Sequence, residues 1–169
     1  DLDKLKWFNQ HYLRQAEAST LLPAVKAEVE KSGYALPDEA YLTQVIDLMR
    51  ERANALPEIV TQAPYFFESP KTYDEKMAKK RWKADAPELM ADLKARFTTI
   101  DRWEASLLQE AFDALVAERE VGKGKVLAPL RLALTGLSFG PGAFDIAALI
   151  GKPETLARID RAIETLPAE

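Results

Sequence analysis

Apolar residues recur along the chain at steps of three and four positions, and alternating runs of β-branched residues are almost absent. Steps of this size place side chains on one face of a helix, so the pattern predicts an all-α fold. The apolar stripes of the first half are Leu2, Leu5, Phe8 and Tyr12; Leu22, Val25 and Val29; and Leu42, Val45, Ile46 and Met49. Those of the second half are Leu89, Leu93 and Phe97; Leu107, Leu108, Ala111, Phe112, Leu115 and Val116; and Leu156, Ile159, Ile163 and Leu166.

Capping residues and helix breakers separate these stripes into individual helices. Ser19 is predicted to cap the N-terminus of the second helix, and Gly33 to end that helix in the left-handed conformation. The third helix is expected to start near Pro37-Asp38-Glu39, because proline and acids are favoured in a first turn.

The segment from residue 56 to residue 70 divides the chain. Its prolines exclude one long helix, so a short helix is expected there. An aromatic plug at Tyr65-Phe66-Phe67 is expected to fill the junction between the two halves. The periodicity then resumes, which predicts two helical subdomains at residues 1–72 and 73–169.

Glycine and proline are concentrated in the stretch from Gly122 to Gly151. The pattern predicts a helix over residues 126–134 and a tight loop over residues 136–142. A short helix over residues 143–150 is expected to follow.

The composition is that of a globular protein, and it excludes several classes of functional site. The 169 residues are 47% hydrophobic with a net charge of −4, which argues against a chain that coats nucleic acid through overall basicity. Cysteine is absent and His11 is the only histidine, so thiolate metal sites and histidine-centred metal clusters are excluded. No apolar stretch approaches the ~20 residues that cross a bilayer, so no membrane span is expected. The absence of cysteine fits a reducing cytoplasm, and a monomer is the default expectation. Because the chain begins at Asp1, a fragment of a longer protein is expected.

Positive charge is nevertheless concentrated in two places. The first is a predicted basic helix around Trp82 with five cations, Lys76, Lys79, Lys80, Arg81 and Lys83. Cations on one helix face suit phosphate contacts, which weaken as salt rises. They also suit an ordinary solvated face with acids in its first turn, and the sequence alone leaves both interpretations open.

The second cluster joins Lys123, Lys125 and Arg131 to the glycine loop at residues 136–142. Glycine and proline let a backbone come close to a nucleotide base, and Phe139 is able to stack on one. The alternative is a C-cap loop between two core helices, with Phe139 buried.

Three groups of residues occur in a characteristic order. They are Lys4-Leu5-Lys6-Trp7-Phe8-Asn9 with Tyr12-Leu13, then Leu48-Met49-Arg50-Glu51-Arg52, then the run from Lys123 to Gly136 with Gly140-Pro141-Gly142-Ala143-Phe144 and Leu149-Ile150-Gly151-Lys152. In this order they resemble the anticodon-binding region of bacterial glutamyl-tRNA synthetases. The resemblance extends over nearly the whole chain.

The resemblance implies an all-helical anticodon-binding domain, an α-helix cage in two helical subdomains. A class I catalytic domain is implied upstream of Asp1, since neither the HIGH nor the KMSKS signature occurs in this chain. That parent enzyme would join glutamate to its tRNA using ATP and magnesium, whereas this chain would hold no cofactor, no metal and no catalytic residue. The implied partners are the anticodon loop of glutamate tRNA and the upstream catalytic domain.

The resemblance also implies a role for Arg52. It matches the second arginine of the family's Leu-Met-Arg-x-Arg motif, which reads the third anticodon base. That base is cytosine in glutamate tRNA and guanine in glutamine tRNA. Cytosine offers acceptors to arginine, whereas guanine presents N–H donors at the matching place, and leaving such groups unpaired costs ~1 to 3 kcal/mol.

The same resemblance implies that Arg131 and the loop after it contact the first anticodon base and its neighbours. Some relatives carry a hydroxyl residue in the slot of Gly140 and a larger apolar residue in that of Ala143, so side-chain contacts at these two positions are expected to be lost or replaced by backbone contacts. The loop residues of this predicted site are Phe139, Gly140, Pro141 and Ala143, and the cations Lys79, Lys80, Lys123 and Lys125 complete the expected RNA-binding set.

Two other functions fit the sequence less well. A helical protein-interaction or scaffold domain would use the basic clusters for solubility and the glycine loop for structure. An enzyme in its own right is the weakest reading, because the side chains offer no catalytic constellation.

Overall fold

The computed structural model describes residues 1–168, in which helices are joined by turns and loops and no strand occurs, and this confirms the predicted all-α class. The first helices are α1 (Leu2–Gln15), α2 (Ala18–Lys31), α3 (Glu39–Met49) and α4 (Glu58–Thr61), followed by a 3₁₀ turn at Pro64–Phe66. The later helices are α5 (Glu75–Arg81), α6 (Ala86–Thr98), α7 (Ala105–Arg119), α8 (Lys123–Thr135), α9 (Ala143–Ile150) and α10 (Lys152–Thr165).

The chain forms two compact units, Asp1–Glu68 and Ser69–Glu169. The sequence placed the boundary a few positions later, between residues 72 and 73. Ser69 belongs to the second unit, where its hydroxyl donates to Glu154 Oε1 at 3.1 Å. The predicted aromatic plug lies in the first unit, where Phe67 stacks on Tyr34 with ring centroids 5.1 Å apart.

α2 and α3 pack together in the first unit. α3 begins after Asp38, whose carboxylate accepts a hydrogen bond from Tyr41 N at 2.8 Å, and it buries its whole predicted stripe. Gly33 follows α2 with a φ of 84°, which confirms the predicted left-handed C-cap. The predicted N-cap at Ser19 is wrong, because the chain is extended at Ala16 and Glu17 and α2 begins directly after them.

α1 leaves its apolar stripe uncovered within the part of the chain that the structure describes. Leu2, Leu5, Phe8 and Tyr12 are exposed, whereas Leu13 is buried. The stripe is real as a helical face, since periodicity reports which side chains lie together rather than what covers them.

α8 is central to the second unit, where it contacts α5, α6, α9 and α10. Its last turn is buried on all sides at Leu132, Ala133, Leu134 and Thr135. The helices around it bury most of the predicted residues, which are Leu89, Leu93 and Phe97 in α6 and Leu108, Phe112 and Leu115 in α7. The region from Gly122 to Gly151 thus folds as predicted, as two helices joined by a glycine loop.

α10 departs from its predicted stripe. Its buried residues include Thr155, Arg158 and Ala162 as well as the predicted Ile159, while Leu156 and Ile163 are only partly covered. The helix is therefore rotated relative to the face that its large apolar residues define. The reason is Arg158, which turns inward to make polar contacts that apolar periodicity does not report.

Arg158 is 3% exposed and ties α10 to the end of α8. Its Nη1 donates to Leu134 O at 2.7 Å, and its Nε donates to Glu154 Oε1 at 2.9 Å. These bonds satisfy one of the carbonyls that a helix C-terminus leaves open. Burial of the Glu154 carboxyl opposes its charge, but the hydrogen bonds from Arg158 and Ser69 outweigh this and hold its pKa below the usual range.

Candidate nucleic-acid interface

Two arginines of the turn after α3 have opposite environments. Arg50 turns inward, and its Nε and Nη2 donate to Leu13 O at 2.9 and 2.7 Å. Its side chain is 13% exposed and also lies 3.3 Å from Asp47 Oδ1. Arg52 is exposed, and its side chain makes no hydrogen bond or ion pair with residues 1–168. The predicted reader is therefore the arginine whose five donors are available.

Arg50→Ala is expected to destabilise the protein far more than Arg52→Ala. The first change leaves backbone carbonyls at the end of α1 without a charged donor, which costs about 1.5 to 3 kcal/mol. The second removes an exposed side chain and should alter the free energy of unfolding by no more than about 0.5 kcal/mol. Urea unfolding of both variants measures the difference, and equal losses would show that the two side chains are not structurally distinct.

A groove of about 470 Å³ lies between α5 and the start of α8 in the second unit. Its lining combines the four cations Lys76, Lys80, Arg81 and Arg131 with the single acid Asp74 and with the apolar side chains Met77, Leu127 and Ala128. Such a lining suits a ligand that combines an anionic group with a flat apolar surface. The structure thus brings the predicted residues Lys80 and Arg131 to one groove.

The basic helix α5 is held by its two ends. Asp74 caps it by accepting a hydrogen bond from Met77 N at 2.9 Å, and Trp82 is buried directly after its last residue. Trp82 therefore anchors the helix and is not part of the basic surface. Lys79 and Lys80 are exposed.

Arg131 shapes the glycine loop from inside. Its Nη1 donates to Pro141 O at 2.8 Å, and Pro141 and Ala143 are buried. Gly140 has a φ of 142°, a conformation that favours glycine. The side chains of Pro141 and Ala143 thus position the loop, which leaves backbone groups and Phe139 to face a ligand.

Phe139 is 57% exposed at the tip of this loop. The alternative in which it is simply a buried core residue is therefore wrong. An exposed aromatic ring beside a cationic groove is the usual arrangement for stacking on an unpaired base.

Lys123 and Lys125 lie in the first turn of α8 and face acids of their own unit. Lys125 Nζ is 2.7 Å from Asp85 Oδ2, and Lys123 Nζ is 4.0 Å from Asp113 Oδ1. Both lysines are exposed, and surface pairs of this kind contribute little, typically about 0 to 1 kcal/mol. Neither residue lines the groove between α5 and α8.

Sequence reasoning missed the structural arginines. Arg50 lies within the Leu48–Arg52 motif on which the resemblance depends, two residues before Arg52, but nothing in the sequence indicated its structural role. Arg158 had no signal at all apart from Glu154 one turn earlier on the same helix.

Residues 1–168 contain no group of three or more acidic, histidine or cysteine side chains arranged to hold a metal ion. None of the helices in this range combines the length and apolar character that spanning a bilayer requires.

A family model described as an anticodon binding domain matches residues 6–163, nearly the whole chain. The chain belongs to the anticodon-binding domain family. Membership confirms the family resemblance found in the sequence.

Known relatives of this anticodon-binding domain are glutamate–tRNA ligases. It is 39% identical over 166 residues to the ligase of Christiangramia forsetii and 36% identical over 166 residues to that of Flavobacterium johnsoniae, in each case over 98% of this chain and 33% of the relative. The solved structure of the glutamate tRNA ligase from Elizabethkingia meningosepticum is similar with a TM-score of 0.90 and 36% identity, over 96% of this chain and 32% of that one. The chain therefore spans about a third of the length of these relatives.

Proposed function

We propose that this anticodon-binding domain reads the anticodon of glutamate tRNA as part of a glutamate–tRNA ligase. The observation that carries the proposal is the exposed, unpartnered Arg52 on a turn whose neighbouring arginine is built into the fold. Recognition of a base edge needs donors that are free and a backbone that is held in place.

In this proposal Arg52 donates to the pairing edge of the third anticodon base. Cytosine offers its ring nitrogen and carbonyl oxygen there, so donors meet acceptors. Guanine places N–H donors at the same edge, so a tRNA with guanine at this position leaves donors opposed and unpaired.

The groove between α5 and α8 supplies the other contacts. The exposed cations of α5, which are Lys76, Lys79, Lys80 and Arg81, contact phosphates, while Phe139 stacks on an unpaired base. The loop that Arg131 holds then presents backbone groups to the first anticodon base and its neighbours. The two units act as the two helical subdomains of an α-helix cage.

The chemistry of the ligase takes place outside these residues. ATP and magnesium would bind an upstream catalytic domain that joins glutamate to its tRNA, and this chain contributes no catalytic group. A cytoplasmic location and a monomeric state complete the proposal.

A binding titration distinguishes this proposal from the alternative that the chain is a protein-interaction domain without RNA binding. The chain is titrated with glutamate tRNA and with a variant whose third anticodon base is guanine, at several salt concentrations. We expect tighter binding to glutamate tRNA, and weaker binding of both as salt rises. Equal and feeble binding to both RNAs would favour the interaction domain.

Charge reversal on α5 is expected to weaken binding to both tRNAs alike. Lys79→Glu with Lys80→Glu removes two phosphate contacts, which should lower affinity about 10-fold and flatten the dependence on log salt concentration by about one unit per lysine. Filter binding at several salt concentrations measures both effects.

The matched control for this variant carries the same change in net charge elsewhere. Lys4 and Lys31 are exposed lysines without an ion pair in the part of the chain that the structure describes. Lys4→Glu with Lys31→Glu should change affinity by less than the α5 variant does. A loss for one tRNA alone on reversal of Lys79 and Lys80 would contradict their assignment as phosphate contacts.

A further inference from the structure

The turn that carries Arg52 is fastened to α1 on both sides of that residue. Before it, Arg14 of α1 donates from Nη2 to Glu51 O at 3.0 Å, and its Nε lies 3.5 Å from Glu51 Oε2. After it, Asn54 Oδ1 accepts a hydrogen bond from Gln10 Nε2. We call these contacts of Gln10 and Arg14 the α1 latch.

Further bonds fix the backbone of the same turn. Arg50 donates to Leu13 O, and Ala53, which is buried, donates from its N–H to Met49 O at 3.1 Å. The backbone on either side of Arg52 is therefore held, while the Arg52 side chain is exposed and bonds to no residue in the part of the chain that the structure describes.

We propose that the α1 latch positions Arg52 for discrimination between bases, so that Gln10 and Arg14 determine specificity without reading the base themselves. The inference rests on the proposed reading of the third anticodon base by Arg52. α1 thereby has a second role, as the brace of a recognition turn in addition to its place in the helical fold.

The physical reason lies in how Arg52 discriminates against guanine. Guanine opposes the donors of Arg52 only while the guanidinium stays where cytosine's acceptors would be. If the turn moves, the Arg52 side chain is able to move away from guanine, and the cost of opposed donors disappears. With cytosine, the same side chain still reaches the acceptors in part of its conformations. Loosening the turn should therefore reduce discrimination more than it reduces binding to glutamate tRNA.

The inference is tested in the full-length ligase that contains this domain. The variants are Arg14→Ala and Gln10→Ala, each alone and combined with Arg52→Gln. The measurement is kcat/KM for glutamate tRNA and for the variant tRNA with guanine as its third anticodon base. Each latch variant should lower the ratio of the two values about 3- to 10-fold, the effect of one lost hydrogen bond. The value for glutamate tRNA itself should change by less than about 2-fold, because the latch makes no contact with RNA in this proposal.

Two further variants separate positioning from a general loss of structure. Arg14→Lys keeps a cation that is able to donate to Glu51, and should retain most of the discrimination. Lys26→Ala breaks the 3.2 Å pair with Glu39 at the opposite end of α3, and should leave the ratio unchanged. Thermal unfolding of every variant accompanies the kinetics.

The possible outcomes lead to different conclusions. If Arg52→Gln leaves the ratio unchanged, the proposed reading by Arg52 is wrong and the latch has nothing to position. If Arg52→Gln lowers the ratio but both latch variants keep the wild-type value, the latch inference alone is wrong. A latch effect that persists undiminished in the Arg52→Gln background also overturns it, because Gln10 and Arg14 would then act through another residue.

Discussion

Arg52→Gln is expected to reduce the preference of the full-length ligase for glutamate tRNA over its guanine variant about 10- to 100-fold, the equivalent of ~1 to 3 kcal/mol. Binding to glutamate tRNA should fall much less. Steady-state aminoacylation of the two tRNAs, compared as the ratio of kcat/KM values, measures the change.

The choice of glutamine follows from the chemistry of the two bases. Arginine is only a donor, so it rejects a donor edge, whereas the glutamine amide carries both a carbonyl acceptor and N–H donors. Glutamine is therefore able to pair with either base. The variant should gain activity on the guanine tRNA as well as lose some on the cytosine tRNA.

The control is another exposed arginine of the same protein. Arg102 is 78% exposed at its side chain and pairs with Glu104 at 2.9 Å. Arg102→Gln should leave the ratio of kcat/KM values unchanged. If Arg52→Gln and wild-type enzyme discriminate equally, Arg52 does not read the base and the family role does not apply to this chain.

Local signals predicted much of the fold. The stripe of α3 is buried as a whole, and Asp38 and Gly33 act at helix ends as their chemistry requires. The glycine region between α8 and α9 also follows the sequence, because glycine permits the positive φ values found there and proline fixes φ locally. These features depend on residues close together in the chain.

Features that depend on distant partners could not be predicted. The apolar face of α1 reads as a core stripe but is exposed, and α10 rotates to bury Arg158 against Leu134 O and Glu154. The Leu134 carbonyl that accepts the hydrogen bond lies on another helix, so the sequence near Arg158 gives no indication of it. Polar burial of this kind is therefore invisible to apolar periodicity.

The candidate site was predicted in pieces. The resemblance selected Arg52, and the structure adds that the nearby Arg50 is bound to the backbone of α1 through Leu13 O. Arg131 was expected to face RNA, yet part of its guanidinium holds the Pro141 carbonyl. The groove that brings Lys80 near Arg131 arises from the packing of α5 on α8, which no local pattern reports.

Gly136→Ala is expected to cost the protein about 2 to 5 kcal/mol of stability and to weaken tRNA binding. Gly136 ends α8 with a φ of 74°, where an L side chain costs about 1 to 2 kcal/mol. A Cβ there would also lie 2.4 Å from Thr72 O and 3.2 Å from Pro70 Cβ, and relieving such overlap costs a further ~1 to 3 kcal/mol. Urea unfolding measures the loss.

The expected loss of tRNA binding follows from the contact between Gly136 and the start of α5. The Gly136 carbonyl accepts a hydrogen bond from Asp74 N at 2.8 Å, and Asp74 caps α5. A shift at Gly136 therefore moves both α5, which forms one side of the groove, and the glycine loop, which contributes Ser138 to its lining. Gly33→Ala is the control, because Gly33 has a φ of 84° but no atom within 4 Å of its added Cβ. That variant should lose only the ~1 to 2 kcal/mol of conformational strain and keep its affinity for tRNA. If the two variants lose equal stability, the close approach of Thr72 is not what requires glycine at position 136.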